Sequence, residues 1–373
     1  MEWWEPILME YRGQPGLAGP DPPVLRRASG SGFSSVGFSG AGIWRVETPT
    51  ATYALRRWPP GAPDARRLEF IHRVLAHAQR HGAPPLAGPL PTDRGPTWVQ
   101  GLDHLWELAP WLPGAADLRL HPSDDRLAVA MRGLAQFHRA TRDFAPQTGP
   151  SPGLKYRHQL AQRIDAIAAA WHTSPGDWPT AEIRHRIGEL ILPLLGPAPS
   201  DASVWLGGSA PPLNAGQSWR QVLQTACQHS WPLQPCLRDI WHPHVFFQGD
   251  RLTGFIDFGA VNWEHRSADI GRLLGSLVAR DTRSWELGLS AYQEVWPLEP
   301  AELELAQLFH KCNVDLSGLS WAEWIYVERR EFPDWSAVAG RLDELQQLAR
   351  PAPPGATATD STQLWLPPSP DYR

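Results

Sequence analysis

The sequence predicts an α+β fold in two lobes, a small β-rich N-terminal lobe and a larger, mostly helical C-terminal lobe. Three observations carry this. Residues 43–58 hold two short strand-like runs, followed by one amphipathic helical stretch from Asp64 to His81. From Ser123 onward, apolar residues recur at helical spacing. That helical half is interrupted by Val245-Phe246-Phe247, a Gln-Gly-Asp-Arg turn and Leu252 to Ile256, which reads as a small hairpin. The 373 residues suffice for two domains or one bilobal domain with a sizeable core. The expected division is an extension over 1–24, the first lobe over 25–105, a hinge over 106–114, the helical lobe over 115–350 and a disordered Pro/Thr/Ser-rich tail over 351–373.

Composition narrows the class. The chain is 42% hydrophobic and 20% charged, with a net charge of -5. That weak acidity gives no support to non-specific nucleic-acid binding, which needs a basic field. The only lysines are Lys155 and Lys311, so a phosphate-binding cation elsewhere must be Arg. Cys227, Cys236 and Cys312 have no zinc spacing, and an odd count argues against a disulfide framework. The acidic start lacks a signal sequence and no apolar run is long enough to span a bilayer, so the chain reads as cytoplasmic, with no membrane partner.

In order along the chain, Trp3, Trp4, Ile7, Leu8 and Tyr11 make a short amphipathic patch expected to lie on the first lobe. Glycines and serines are dense from Ala28 to Gly42, and an alternating strand follows, Ile43 to Glu47. A Gly-rich turn before a strand lets backbone N–H groups approach phosphate oxygens, and Gly37, Gly40 and Gly42 are best placed. There is no Gly-Lys-Ser/Thr, so this is not a P-loop. Ala51 to Trp58 reads as the next strand and carries Arg56, a candidate bidentate phosphate ligand. Asp64 is placed as the N-cap of the following helix, whose apolar face is Leu68, Ile71, Leu75 and Ala78, with Glu69 flanking it. Leu105 to Gly114 reads as an apolar strand that becomes a linker.

Ser123 caps the next helix, with Asp124 and Asp125 in its first turn. Tyr156, Leu160, Ile164, Ile167 and Trp171 mark another helix, and Ile183, Ile187, Leu190 and Ile191 a third. Residues 193–217 read as a connection and 218–228 as a short helix. Further helices are expected from Asp269 and around 284–296, 300–314, 316–330 and 336–349.

The hairpin has an acid at each end, Asp239 before it and Asp257 after it. A hairpin brings both to one end of a two-stranded ribbon, around a single phosphoryl group. Read blandly, they are ordinary turn residues. The pattern and spacing resemble the catalytic core of the aminoglycoside phosphotransferase and choline kinase family, related to protein kinases. There the pattern is His-Gly-Asp-x-x-x-x-Asn, a short hairpin, then Asp-Phe-Gly. Asp239 matches the catalytic Asp, and Asp257-Phe258-Gly259 the metal-binding triplet. Leu237 stands where the family has His, and His244 where it has the metal-binding Asn.

The resemblance covers roughly residues 25–330 and implies a protein-kinase-like bilobal fold. It implies a cytoplasmic, ATP-dependent phosphotransferase acting on a small-molecule hydroxyl. Asp239 would be catalytic, and Asp257 and His244 would bind metal. Arg56, paired with Glu69, and Gly37, Gly40 and Gly42 would hold the phosphates, with adenine near Glu107 and Leu108. Mg2+ is the implied metal. The imidazole of His244 suits Mn2+ better, or leaves a nucleotide-binding pseudokinase with a regulatory role. Asp269 matches an Asp that holds the family's catalytic loop. A third reading is a metal-dependent hydrolase built on Asp239, His242 and His244. For a cationic acceptor, Glu323, Glu328, Glu331 and Asp334 are candidate acids, and Trp321 and Trp324 candidate stacking residues.

Overall fold

The computed structural model describes residues 2–19, 21–28, 40–61, 63–195, 219–332 and 334–349. Gly37, most of the 193–217 connection and the 351–373 tail lie outside the described residues.

The first lobe is a five-stranded antiparallel sheet. Its strands are β1 (Val24–Arg27), β2 (Gly42–Glu47), β3 (Thr52–Arg57), β4 (Val99–Gly101) and β5 (His104–Pro110), in the order β1-β2-β3-β5-β4. Alternation decides which face is buried: Val46, Tyr53, Leu55, Trp106 and Leu108 point to one side. There they meet Ile7, Leu8 and Tyr11 from the N-terminal turns, where α1 (Glu5–Leu8) leads into a 3-10 turn, Met9–Tyr11. The N-terminal segment thus closes a small core of its own.

Across the other face lies α2 (Ala65–Arg80), started as its sequence dictates: the Asp64 carboxylate accepts from Arg67 N at 2.7 Å. Its apolar face joins the main core of the second lobe through Ile71, Val74, Leu75 and Ala78.

The second lobe is built from α3 (Asp124–Thr141), α4 (Pro152–Gln162), α5 (Ile164–Thr173), α6 (Ala181–Leu195), α7 (Trp219–Gln228), α8 (Ser267–Val278), α9 (Thr282–Gln293), α10 (Pro300–Ala322) and α11 (Trp335–Ala349). The Ser123 hydroxyl caps α3, accepting from Arg126 N at 3.3 Å. Three boundaries differ from expectation. The helix expected over Tyr156–Trp171 breaks at Arg163, whose N–H turns back to Leu160 O at 3.1 Å. Pro193 lies inside α6, in its last turns. The two helices expected at 300–314 and 316–330 are one, followed by a π-helical turn, Glu323–Val327. Ser317 and Ser320 donate to the carbonyls four residues back, so they do not break the helix. Gly318 serves close packing: a Cβ there would stand 2.4 Å from Leu190 Cβ.

Two small sheets carry the loops between helices. Strands β6 (Gln147–Gly149), β7 (Trp231–Cys236) and β10 (Asn262–Glu264) pair in the order β10-β7-β6, and β8 (Val245–Gln248) pairs with β9 (Arg251–Phe255). The hairpin is stitched to the segment after β5. Ala115 and Phe247 exchange N–H···O bonds of 2.9 and 2.8 Å, and Thr253 Oγ1 donates to Pro113 O at 2.7 Å. Only glycine fits at 114: φ is +89°, and a Cβ would meet Phe247 O at 1.9 Å. Among the described residues, no helix is long and apolar enough to cross a membrane.

Candidate active site

Between the lobes lies a cleft of about 490 Å³. It is lined by Arg56, Trp58, His72 and Glu107 from the first lobe, by Ala109 to Leu112 after β5, and by Asp239, His244 and Asp257 from around the hairpin. Strand β7 delivers the chain to Asp239 and β9 delivers it to Asp257, so the two acids flank the hairpin and reach one cavity at its open end. Arg238 and Asp257 both have positive φ, +63° and +61°, unusual for non-glycine residues. The backbone is bent at the two points where it enters and leaves the hairpin.

Beneath the cleft, the loop is tied down through its main chain. The buried Asp269 carboxylate accepts from Leu237 N at 2.7 Å, Arg238 N at 2.6 Å and the His138 ring Nε2 at 3.0 Å. His138 Nδ1 meets Tyr292 Oη at 2.8 Å. Leu237 carries no polar group; its side chain is 2% exposed in the main core. His138, Cys236 and Asp269 are the one group of three described residues with metal-ligand reach. Their atoms are already engaged, since Cys236 Sγ donates to Glu264 O at 3.3 Å. Burial also holds the His138 imidazole neutral and the Cys236 thiol protonated, which makes this a structural network.

Asp257 faces Arg56, whose Nη2 donates to Oδ1 at 3.0 Å. Burial opposes its ionisation, but Arg56, His244 and the Gly259 backbone outweigh that and pull its pKa down to about 2. His244 is anchored by its own loop: its Nδ1 faces Asp239 O at 2.8 Å, and Trp241 Nε1 donates to its Nε2 at 3.2 Å. The carbonyl partner assigns the proton to Nδ1 and leaves Nε2 as the acceptor, 3.7 Å from Asp257 Oδ2. Once the Trp241 N–H gives up Nε2, that spacing lets one carboxylate oxygen and one imidazole nitrogen share a small cation at the usual ligand distances of about 2.0–2.2 Å.

Several expectations are redrawn. Glu69 is exposed on α2, and Arg56 pairs with Asp257 instead. The α2 side chain turned inward is His72, one turn further on, whose Nε2 meets Glu107 Oε2 at 2.9 Å and whose Nδ1 meets Thr97 Oγ1 at 2.6 Å. Leu108 does not line the cleft; it is buried in the first-lobe core and its carbonyl accepts from Leu90 N at 2.7 Å. Gly40 has φ +75°, and Gly42 opens β2. Asp239, His242 and His244 do not assemble as ligands: His242 Nε2 meets Arg119 Nη1 at 2.7 Å and points away to Glu344. Glu323 pairs with Arg163, Glu328 with Arg330, and Asp334 caps Ala337 N. None of these acids, nor Glu331, lines the cleft, and Trp321 is buried in the second helical core with Trp324 packed on it.

Sequence reasoning missed the far end of the cleft. Arg272 of α8 pairs with Asp239, and Arg119, Arg341 and Glu344 gather beside His242 and Trp241. These residues come from four distant stretches, and no local pattern joins them.

Comparison with known proteins agrees with this architecture. The family profile described as "Phosphotransferase enzyme family" matches residues 35–308. Spectinomycin phosphotransferase, solved with ADP and spectinomycin, superposes with a TM-score of 0.52 at 11% identity, over 87% of this chain and 92% of that one. The microcompartment-associated aminopropanol kinase gives a TM-score of 0.52 at 12% identity, over 92% and 95%. An aminoglycoside phosphotransferase from Alicyclobacillus acidocaldarius gives 0.48 at 14%, over 87% and 90%. No curated protein matches. The fold is therefore that of a protein-kinase-like phosphotransferase, shared with solved structures of small-molecule kinases. The chain belongs to the phosphotransferase enzyme family.

Proposed function

We propose that the protein transfers the γ-phosphoryl group of ATP to a hydroxyl of a small molecule. The observation that carries this is the convergence of Asp239, Asp257 and Arg56 on one cleft. Asp239 orients the hydroxyl and accepts its proton. The acceptor oxygen bonds to the γ-phosphorus as the bond from phosphorus to the ADP oxygen breaks. Arg56 Nε and Trp58 Nε1 are buried donors without partners among the described residues, and both residues line the cleft. Phosphate oxygens would satisfy them. Arg56 also stacks on Trp58, its guanidinium carbon 3.8 Å from the ring centroid, which holds the guanidinium in place. By the resemblance, Gly37, Gly40 and Gly42 would hold the phosphates, and residues 109–112 face the base through their backbone. Pro110 lacks an N–H, so the base takes its donor from a neighbour.

Asp257 and His244 are the residues that would hold a divalent cation. The ionised carboxylate suits Mg2+, and the imidazole in place of a neutral oxygen suits Mn2+ better. When bound, the cation neutralises charge on the nucleotide phosphates. Its binding requires Arg56 to turn from Asp257 toward those phosphates.

Thermal unfolding with ATP, in Mg2+ and separately in Mn2+, tests the reading. Stabilisation that needs metal and is lost in Asp257→Ala is expected, as is ATP consumption that depends on an acceptor. No stabilisation with either metal would sink it. Stabilisation without turnover on any hydroxyl compound would support the regulatory alternative.

A further inference from the structure

At the Asp239 end of the cleft, three arginines stand against the lining residues Asp239, Trp241, His242 and Glu344. Arg272 Nη2 holds the Asp239 carboxylate. Arg341 reaches in from α11, with its guanidinium carbon 4.4 Å from the Trp241 ring centroid and Nη1 2.5 Å from Glu344 Oε2. Arg119, just past the hinge, lies 3.4 Å from Glu344 Oε1 and 2.7 Å from His242 Nε2. The three guanidinium groups are 15–27% exposed at the side chain. Against them stand two carboxylates, Asp239 and Glu344. The three guanidinium groups thus outnumber the two carboxylates by one, and Asp239 is already committed to Arg272. Arg272 Nε is moreover buried without a hydrogen-bond partner among the described residues, a donor left for an oxygen they do not supply.

A polycationic acceptor would meet repulsion here, since both carboxylates are already engaged by arginines. An anionic group finds a planar, multi-donor cradle of the kind arginines provide for carboxylate and phosphate.

Building on the phosphotransferase reading above, we propose that the acceptor is a hydroxy compound carrying its own carboxylate or phosphate, which Arg341, Arg119 and Arg272 bind. Seating that anion draws Arg272 from Asp239. The freed carboxylate then takes the hydroxyl proton, so the acceptor releases the group that acts on it.

The test is direct titration of the full chain, without nucleotide, with glycerate, glycerol 3-phosphate, glycerol and choline. ATP binding is measured separately by thermal shift, so failure of the nucleotide reading shows in that measurement alone. Binding of glycerate or glycerol 3-phosphate at least tenfold tighter than glycerol and choline is expected, and the tighter of the two assigns the anion. Arg341→Gln and Arg119→Gln should each weaken that binding about tenfold while circular dichroism stays unchanged. In turnover, Arg341→Gln should raise the KM for the anionic acceptor far more than it lowers kcat. Preference for choline or glycerol overturns the proposal. So does anion binding that is lost in Arg56→Gln and kept in Arg341→Gln, which would place the anion at the phosphate site.

Discussion

The cleft and the core beneath it use the same residue type to opposite ends. Asp257 in the cleft has a side chain 37% exposed, one arginine across the lobes and a neighbouring imidazole. Asp269 below it has no exposed surface and accepts from two backbone N–H groups and a buried histidine. A half-exposed acid with an exchangeable partner can be reassigned to a ligand. A buried acid with every oxygen occupied cannot, and its bonds go into shape alone. Charge placed at a surface that must open is function, and charge saturated inside is scaffold.

Substitutions should separate along that line. The largest effect expected is Asp239→Asn: loss of about 10³-fold or more in turnover, with thermal stability nearly unchanged, because this carboxylate is half-exposed and the role we propose for it is at the reacting proton. Steady-state kinetics beside a melting curve reads both, and a large stability loss with intact turnover would erase the distinction. Next, Asp269→Ala should cost about 3–5 kcal/mol in denaturant unfolding, because it strands two N–H groups and a histidine in the core.

Acid should strike the core before the cleft. Burial lowers His310 to about 3 and His265 to about 4. Between pH 6.5 and those values the unfolded chain binds protons that the folded chain does not. Stability is therefore full above pH 6.5 and falls as pH drops, by about 2.5 kcal/mol for each histidine near pH 4.5. Asp257 stays ionised throughout that range, since its contribution is present above about pH 4 and is lost only as pH nears 2. Unfolding followed from pH 7 to 4.5, with His310→Gln losing part of the slope, checks this.

Gly114→Ala should cost about 1–3 kcal/mol, because its Cβ would collide with Phe247 O and the hairpin would have to shift. Smallest of all, Glu69→Ala should change stability by no more than about 0.5 kcal/mol and leave ATP-dependent thermal stabilisation intact, as befits a solvated helix face. A loss of that stabilisation would return Glu69 to the cleft.

Local chemistry made much of this legible. Asp64 and Ser123 cap their helices because a short oxygen side chain before a helical run has one good use. The hairpin between Asp239 and Asp257 could be read because two β-rich runs flank a Gly-Asp turn. Strand β7 could not, because Pro232 and Pro235 argue against a strand. Each proline takes the middle place of a three-residue ladder, opposite Thr148 and Trp263. Alternate residues of an antiparallel pair exchange no bonds, so no N–H is missed there. The choice between Glu69 and His72 was invisible for another reason: periodicity gives a helix its apolar face, but packing sets how far that face is rolled. The acceptor end was beyond reach altogether, since Arg119 and Glu344 lie 225 residues apart.

One consequence of the Asp269 anchor concerns drift. The loop is gripped by its amides, which every residue except proline offers alike. Its grip is therefore blind to the side chain at 237, and a histidine there can become a buried leucine without the loop losing its course. Such an anchor lets the letters of a motif wander while the curve of the chain stays put, and relatives of this protein should then be easier to find by shape than by spelling.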